Sequence, residues 1–212
     1  MPLDEPLYPI NLRIAGHRCL VVGAGAVAAQ KIRGLLDCRA EVVVVAPEVS
    51  EEVEALAPPV EIVRRRYRRD DLTGMRLVIA ATGDGALQAR ILGEGRTAGV
   101  LVNSADDPAN CDFTLPSRVR RGPVLLTAST QGRSPALATW LRRRLGTEYG
   151  PEIEVLCDLL AEAREEIRDQ GLSSEGLAWQ EALDSGMLEL VREGRLVEAK
   201  ERLQACLSSS LE

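Results

Sequence analysis

The chain is 212 residues long, with a formal net charge of −6, 45% apolar residues and only 3% aromatic ones. That length supports one sizeable core or two modest domains, built here from aliphatic side chains. The negative balance argues against nucleic acid as a main partner, and no apolar run has the roughly 20 residues that a bilayer-spanning helix needs. The N-terminus lacks a basic region followed by an apolar run and a small-residue cleavage site, so it reads as not exported. Cys19, Cys38, Cys111, Cys157 and Cys206 are scattered, odd in number and without CxxC spacing. Reduced thiols in a cytoplasmic protein are the simple account.

Residues 18–22 form a short apolar run ending in glycine, which predicts a buried strand. Residues 26–36 follow at helical spacing, with Val27, Ile32, Leu35 and Leu36 on one side. Residues 41–46 are a second buried strand, stopped by Pro47. Residues 60–67 predict a strand that turns polar near a sheet edge. Residues 76–82 and 99–104 are further apolar strands, with a polar-capped helix near 85–98 between them. Continuously apolar strands alternating with helices predict a parallel sheet covered on both faces. After Asp112 the pattern changes. RRGPVLLTAST reads as one strand flanked by basic turns. Ser134 and Pro135 suit the cap and first position of a helix. From Pro151 an acidic helical tail follows, with helices over 152–169 and around 175–184 and 196–207.

Gly23-x-Gly25-x-x-Ala28 sits between a strand and a helix, the context that the dinucleotide fingerprint requires. Gly23 permits the tight turn, Gly25 lets the backbone approach a pyrophosphate, and Ala28 keeps the helix close to the strand. The helix start offers free N–H groups and positive partial charge. Gly23, Gly25, Ala26 and Val27 are therefore candidate cofactor residues. The second strand lacks the usual terminal acid. Pro47 and Glu48 are the candidates for ribose contact, and with no arginine there NAD is favoured over NADP.

Ligands of open α/β sheets lie beyond the carboxyl ends of the strands. Thr82, Asp84, Asn103, Asp106 and Asp107 fall there. A helix cap accounts for Asp84 and a turn for Asp107; Asp106 stays as the candidate general base. The single histidine, His17, precedes the first strand and reads as a loop residue. No His/Cys cluster supports a tightly held metal. From Phe113 to Leu145 there are seven arginines and no acidic residue. A solvated basic face and an anion site both fit that run.

Together these stretches resemble a known family. Tyr8-Pro9-Ile10-Asn11-Leu12 is similar to its YP-hydrophobic-x-L entry, and Gly23–Ala28 with Lys31 to its GGGxVAxRK loop. Ala80-Ala81-Thr82 with Asp84 is similar to its AATDD segment. Asn103–Pro108 with Cys111-Asp112-Phe113 and Pro116 resembles VNxxDxPxxCDFxxP. Arg121-Gly122-Pro123 and Ser129–Ala138 resemble RGPL and STxGxSPxLA. The family is precorrin-2 dehydrogenase, the siroheme synthase N-terminal module, some members of which also insert ferrous iron. Gln30, Gly83, Gln88 and Thr130 depart from its usual residues.

The resemblance implies an α/β chain with a Rossmann-type parallel sheet over 1–112, a small α+β dimerisation domain over 113–148 and a helical domain over 149–212. It implies NAD-dependent oxidation of precorrin-2 to sirohydrochlorin in a cytoplasmic homodimer, with no nucleic acid or membrane partner. Asp106 is the implied acid/base, and Thr82 and Asn103 join the cofactor residues. Arg118, Arg120, Arg121 and Ser134 become substrate-binding candidates for a tetrapyrrole carrying eight carboxylates. Ferrous iron enters as a substrate and not as a bound cofactor; no resident metal is expected. The rival readings are another Rossmann oxidoreductase, a non-enzymatic NAD(H)-sensing module, and a chelatase without dehydrogenase activity.

Overall fold

The structure, a computed structural model, describes residues 6–105, 107 and 110–208. The chain divides into two compact units. One comprises the residues up to Leu115 together with Thr130–Ser134; the other comprises Pro116–Ser129 and the residues from Pro135 onward.

The first unit is a parallel sheet of β1 (Arg18–Val22), β2 (Glu41–Val45), β3 (Glu61–Val63), β4 (Leu77–Ala80) and β5 (Leu101–Ser104), in the order β3-β2-β1-β4-β5. Strand alternation builds two cores. Cys19, Val21, Val42, Val44 and Ile79 face α1 (Ala26–Leu36) and α2 (Glu51–Glu54). Leu20, Val22, Val43, Val45, Val78 and Val102 face α3 (Gly85–Ala98). Both faces are buried, so these strands carry apolar residues at nearly every position. β3 lies at the edge and spans only three residues, as its polar sequence favours. Val27 departs from the expected helix face. α1 buries Ala28, Ala29, Ile32 and Leu35, and Val27 is 41% exposed in its first turn.

In the second unit, β6 (Ser117–Arg121) and β7 (Val124–Ala128) form an antiparallel hairpin. The basic stretch predicted as a turn is thus a strand in its own right. Val119 is its buried residue, and Gly122 turns the chain at φ +49°. α4 (Pro135–Glu148) packs on β6 and β7. The tail forms α5 (Glu152–Asp169), α6 (Trp179–Ala182), a kinked stretch over Leu183–Met187 in which Gly186 stands at φ +88°, α7 (Leu188–Arg192) and α8 (Leu196–Ser208). Leu156, Leu159, Met187, Leu190 and Leu203 belong to its core. Arg192 ties the helices at one end, donating to Glu152 Oε1 at 2.7 Å and to the Glu148 carbonyl. All five cysteines are free thiols. Among the described residues no helix is long and apolar enough to cross a membrane.

Candidate nucleotide-binding and active site

The sheet order reverses direction between β1 and β4, which opens a crevice at the carboxyl ends of these strands. Parallel strands bring the ends of β1, β2, β4 and β5 to one edge, and nearly all the predicted cofactor residues lie there. Gly23 leaves β1 at φ +103°, donating its N–H to the Val45 carbonyl at 3.0 Å. A Cβ there would overlap the Ala81 carbonyl oxygen at the end of β4. Gly25 is the N-cap of α1, in extended conformation, and a Cβ on it would meet nothing within 4 Å. The first turn of α1 contains no acidic residue, and no side chain caps it. Its opening N–H groups have no intrahelical acceptor, and the helix dipole adds positive character there. The open space over Gly25 and the uncapped helix start therefore suit a dinucleotide pyrophosphate.

Around this loop the other candidates take defined places. Pro47 and Glu48 are exposed just beyond β2. Ser50 donates its N–H to the Ala24 carbonyl at 3.0 Å, and its buried hydroxyl has no partner among the described residues. After β4, Thr82 Oγ1 accepts from the Asp84 N–H at 3.1 Å, with Gly83 between them at φ +68°. Asp84 caps α3, accepting from the N–H groups of Ala86 and Leu87. That is the capping role anticipated from sequence. Asp107 serves a turn, accepting from the Asn110 N–H and side-chain amide.

Asn103 is 7% exposed, and its amide nitrogen donates to the Phe113 carbonyl at 2.8 Å. It anchors the Cys111–Phe113 segment to β5. Cys111 Sγ accepts from the Ser104 N–H at 3.2 Å, and Asp112 accepts from the Val102 N–H at 3.0 Å and from Arg96 at 2.8 Å. Burial pushes the Cys111 thiol up; the Ser104 N–H opposes this, and the carboxylates of Asp107 and Asp112 reinforce it. Asp106 lies outside the described residues.

Thr130–Ser134 belong to this same unit. Arg133 N–H donates to the Thr130 carbonyl at 2.9 Å across Gln131 and Gly132, both at positive φ. A glutamine in that region carries a steric cost, so the turn is held against its preference. Thr130 Oγ1 accepts from the Ser134 N–H at 3.2 Å and donates to the Ser134 carbonyl at 3.1 Å. Arg118, Arg120 and Arg121 stand on β6 in the other unit, where they line a groove together with Arg142 and Arg143 of α4. The last two belong to the acid-free run of seven arginines read from the sequence, although they were not among its named substrate-binding candidates.

A family model described as "Putative NAD(P)-binding" matches residues 10–117, about half the chain. The siroheme synthase of Nitrosococcus oceani is 37% identical over 203 residues, covering 94% of this chain and 43% of that protein. The siroheme synthase of Nitrosomonas europaea is 34% identical over 207 residues, covering 95% and 44%. A solved structure, SirC, precorrin-2 dehydrogenase, superposes with a TM-score of 0.70 at 27% identity, covering 94% of this chain and 98% of that one. The chain belongs to the NAD(P)-binding precorrin-2 dehydrogenase and siroheme synthase family. It spans 43–44% of the length of the siroheme synthases above. Within the family the fold is shared from sheet to helical tail, and the glycine loop, the Asn103 anchor and the 130–134 turn all fall inside the matched region.

Proposed function

We propose that the chain catalyses the NAD-dependent dehydrogenation of precorrin-2 to sirohydrochlorin. The observation that carries this reading is the open Gly25 position over the bare start of α1, in a chain that covers 98% of a precorrin-2 dehydrogenase. NAD⁺ bound at this edge supplies the hydride acceptor. The Gly23–Val27 backbone, Ala26 included, holds the pyrophosphate; Pro47 and Glu48 meet the ribose, and an acidic Glu48 favours the free hydroxyls of NAD over the phosphate of NADP. Thr82 and Asn103 shape the floor of the site. Precorrin-2 loses a hydride and a proton, and Asp106 takes the proton. Arg118, Arg120, Arg121 and Ser134 hold the substrate's carboxylates.

The same reading keeps a nucleotide-binding domain at 1–112, a central domain at 113–148, a helical domain at 149–212, and a cytoplasmic homodimer. Exposed Leu137 and Trp140 on α4 supply an apolar face for self-association. Ferrous iron would be a substrate. Among the described residues no group of three His, Cys, Asp or Glu could hold a metal.

Anaerobic absorbance with fresh precorrin-2 tests the reading. NAD⁺-dependent appearance of sirohydrochlorin, lost in Asp106→Ala, is expected. A protein that binds NAD and gives no sirohydrochlorin would overturn it. A second arm adds ferrous ion and compares the rate with the uncatalysed one.

A further inference from the structure

Resting on the dehydrogenase reading with Asp106 as its base, we infer that Gln88 is a positioning residue for that reaction, its side-chain amide fixing the peptide from which Asp106 departs. Apart from Tyr67, the described residues include three buried polar ones, Gln88, Asn103 and Ser104, at 4%, 7% and 3% exposure. Asn103 and Ser104 end β5, and Gln88 reaches the residue that follows it. Asn103 is satisfied by the Phe113 carbonyl, while the Ser104 hydroxyl has no partner among the described residues. Burying polar groups is unfavourable unless they are hydrogen-bonded. Three of them gathered at the strand end that leads to Asp106, in a sheet otherwise packed with aliphatic side chains, specify the geometry of that end.

The packing of α3 brings Gln88 there. The helix turns Gln88, Ile91, Leu92 and Gly95 inward. Gly95 lets it approach β5 closely, since a Cβ at that position would lie 2.4 Å from Val102 Cγ2 and 3.2 Å from the Val100 carbonyl oxygen. Gln88 is seven residues earlier, two turns along the same face. An apolar side chain would fill that stripe; the amide instead donates from Nε2 to the Ala105 carbonyl at 3.3 Å.

The Ala105 N–H donates to the Ala80 carbonyl at the end of β4, at 2.8 Å. Both backbone polar groups of Ala105 are thus engaged. The Ala105 carbonyl and the Asp106 nitrogen belong to one planar peptide, so Gln88 acts on that whole unit. On the other side, Asp107 donates its N–H to the Ser104 carbonyl at 3.2 Å, and its own carbonyl lies 3.3 Å from the Cys111 thiol. Both chain neighbours of Asp106 are therefore held. A misplacement of about 1 Å at a reacting group can slow a reaction about a hundredfold. Buried as it is, Gln88 offers a ligand little surface, so its effect falls on the rate and not on binding.

Steady-state turnover of precorrin-2 with NAD⁺ by the full chain tests this in Gln88→Met, which keeps the volume and removes the donor. kcat is expected to fall by about tenfold to a hundredfold, with KM for precorrin-2 and Kd for NAD unchanged. In an Asp106→Asn background the same substitution should leave the residual single-turnover rate unchanged, because no base remains to be misplaced. Gln88→Glu adds a second readout. Burial raises the pKa of a carboxyl at this position; protonated it donates to the Ala105 carbonyl, and ionised it cannot. The ratio of its kcat to that of wild type should be near one at low pH and fall as pH rises, with circular dichroism following the fold at each pH. Gln88→Glu carries the test alone if Gln88→Met fails to fold. Equal rate losses with and without Asp106→Asn, or a Gln88→Glu profile parallel to that of wild type, would overturn the inference and leave the dehydrogenase reading standing. A wild type that makes no sirohydrochlorin, or an Asp106→Asn variant as fast as wild type, would overturn both.

Discussion

Gly23 and Ala81 touch backbone to backbone where β1 and β4 end. A Cβ on Gly23 would overlap the Ala81 carbonyl oxygen and lie 2.8 Å from its carbon, and Gly23 also stands at φ +103°. Two residues on, Gly25 faces open space at an ordinary φ of −89°. The two glycines therefore answer to different constraints, and alanine separates them. Gly23→Ala should cost about 2–5 kcal/mol from left-handed strain and overpacking. Gly25→Ala should change stability by less than about 1 kcal/mol, while NAD affinity falls about tenfold because a methyl enters the phosphate approach. Urea denaturation and fluorescence titration with NAD read the two effects.

Asn103 holds the Phe113 carbonyl, and alanine would leave that buried acceptor without its donor. Asn103→Ala should lose about 1–3 kcal/mol of stability. Activity should fall by more than NAD affinity does, since this side chain fastens the far end of the segment that carries Asp106. Denaturation midpoints and steady-state rates for one preparation distinguish the two.

Asp71 sets a pH dependence at the acid end. Burial pushes its carboxyl up, but the Arg65 fork at 2.5 and 2.9 Å and the Arg68 N–H at 2.8 Å outweigh that and hold it below its ordinary value. A depressed carboxylate contributes stability that is present above the unfolded pKa, about 4. That contribution is lost as pH falls through the lower folded value. Asp71→Asn should flatten the stability-versus-pH curve below about pH 4 by at most about one proton's worth of slope. Thermal melts from pH 2 to 7 on both proteins check this.

Cys19 lies fully buried in β1, and burial, then the neighbouring Cys38, pushes its thiol up to about 11. Thiolate is the reactive form. Iodoacetamide at pH 8 should leave Cys19 unmodified in the native protein and alkylate it in urea, as read by peptide mass spectrometry. Labelling of Cys19 ahead of the half-buried Cys157 would contradict the packing.

The sheet was legible because its strands are buried on both faces: EVVVV and LVIA admit little else. The Asp84 cap was legible because cap chemistry is local. Val27 was misplaced because four apolar residues fit one helical stripe on paper, whereas alanines at 28 and 29 pack closest to the strands. β6 was missed because SRVRR carries one buried residue in five, and its partner strand supplies the rest of the signal. The Asn103 anchor was hidden in an apolar run. Its only hint was a polar side chain where burial forces a hydrogen bond. The return of 130–134 to the first unit is a long-range contact with no local mark.

That return has a consequence for how the chain can be divided. The backbone passes between the two units three times, after residues 115, 129 and 134. The nucleotide-binding unit is consequently not a contiguous cassette. A cut at 115 takes away the strained Gln131 turn along with everything downstream, and a single fusion junction cannot transplant the unit whole. Recombination that kept this unit's pieces together would have had to carry the hairpin between them as passenger, binding the inheritance of the two units to one another.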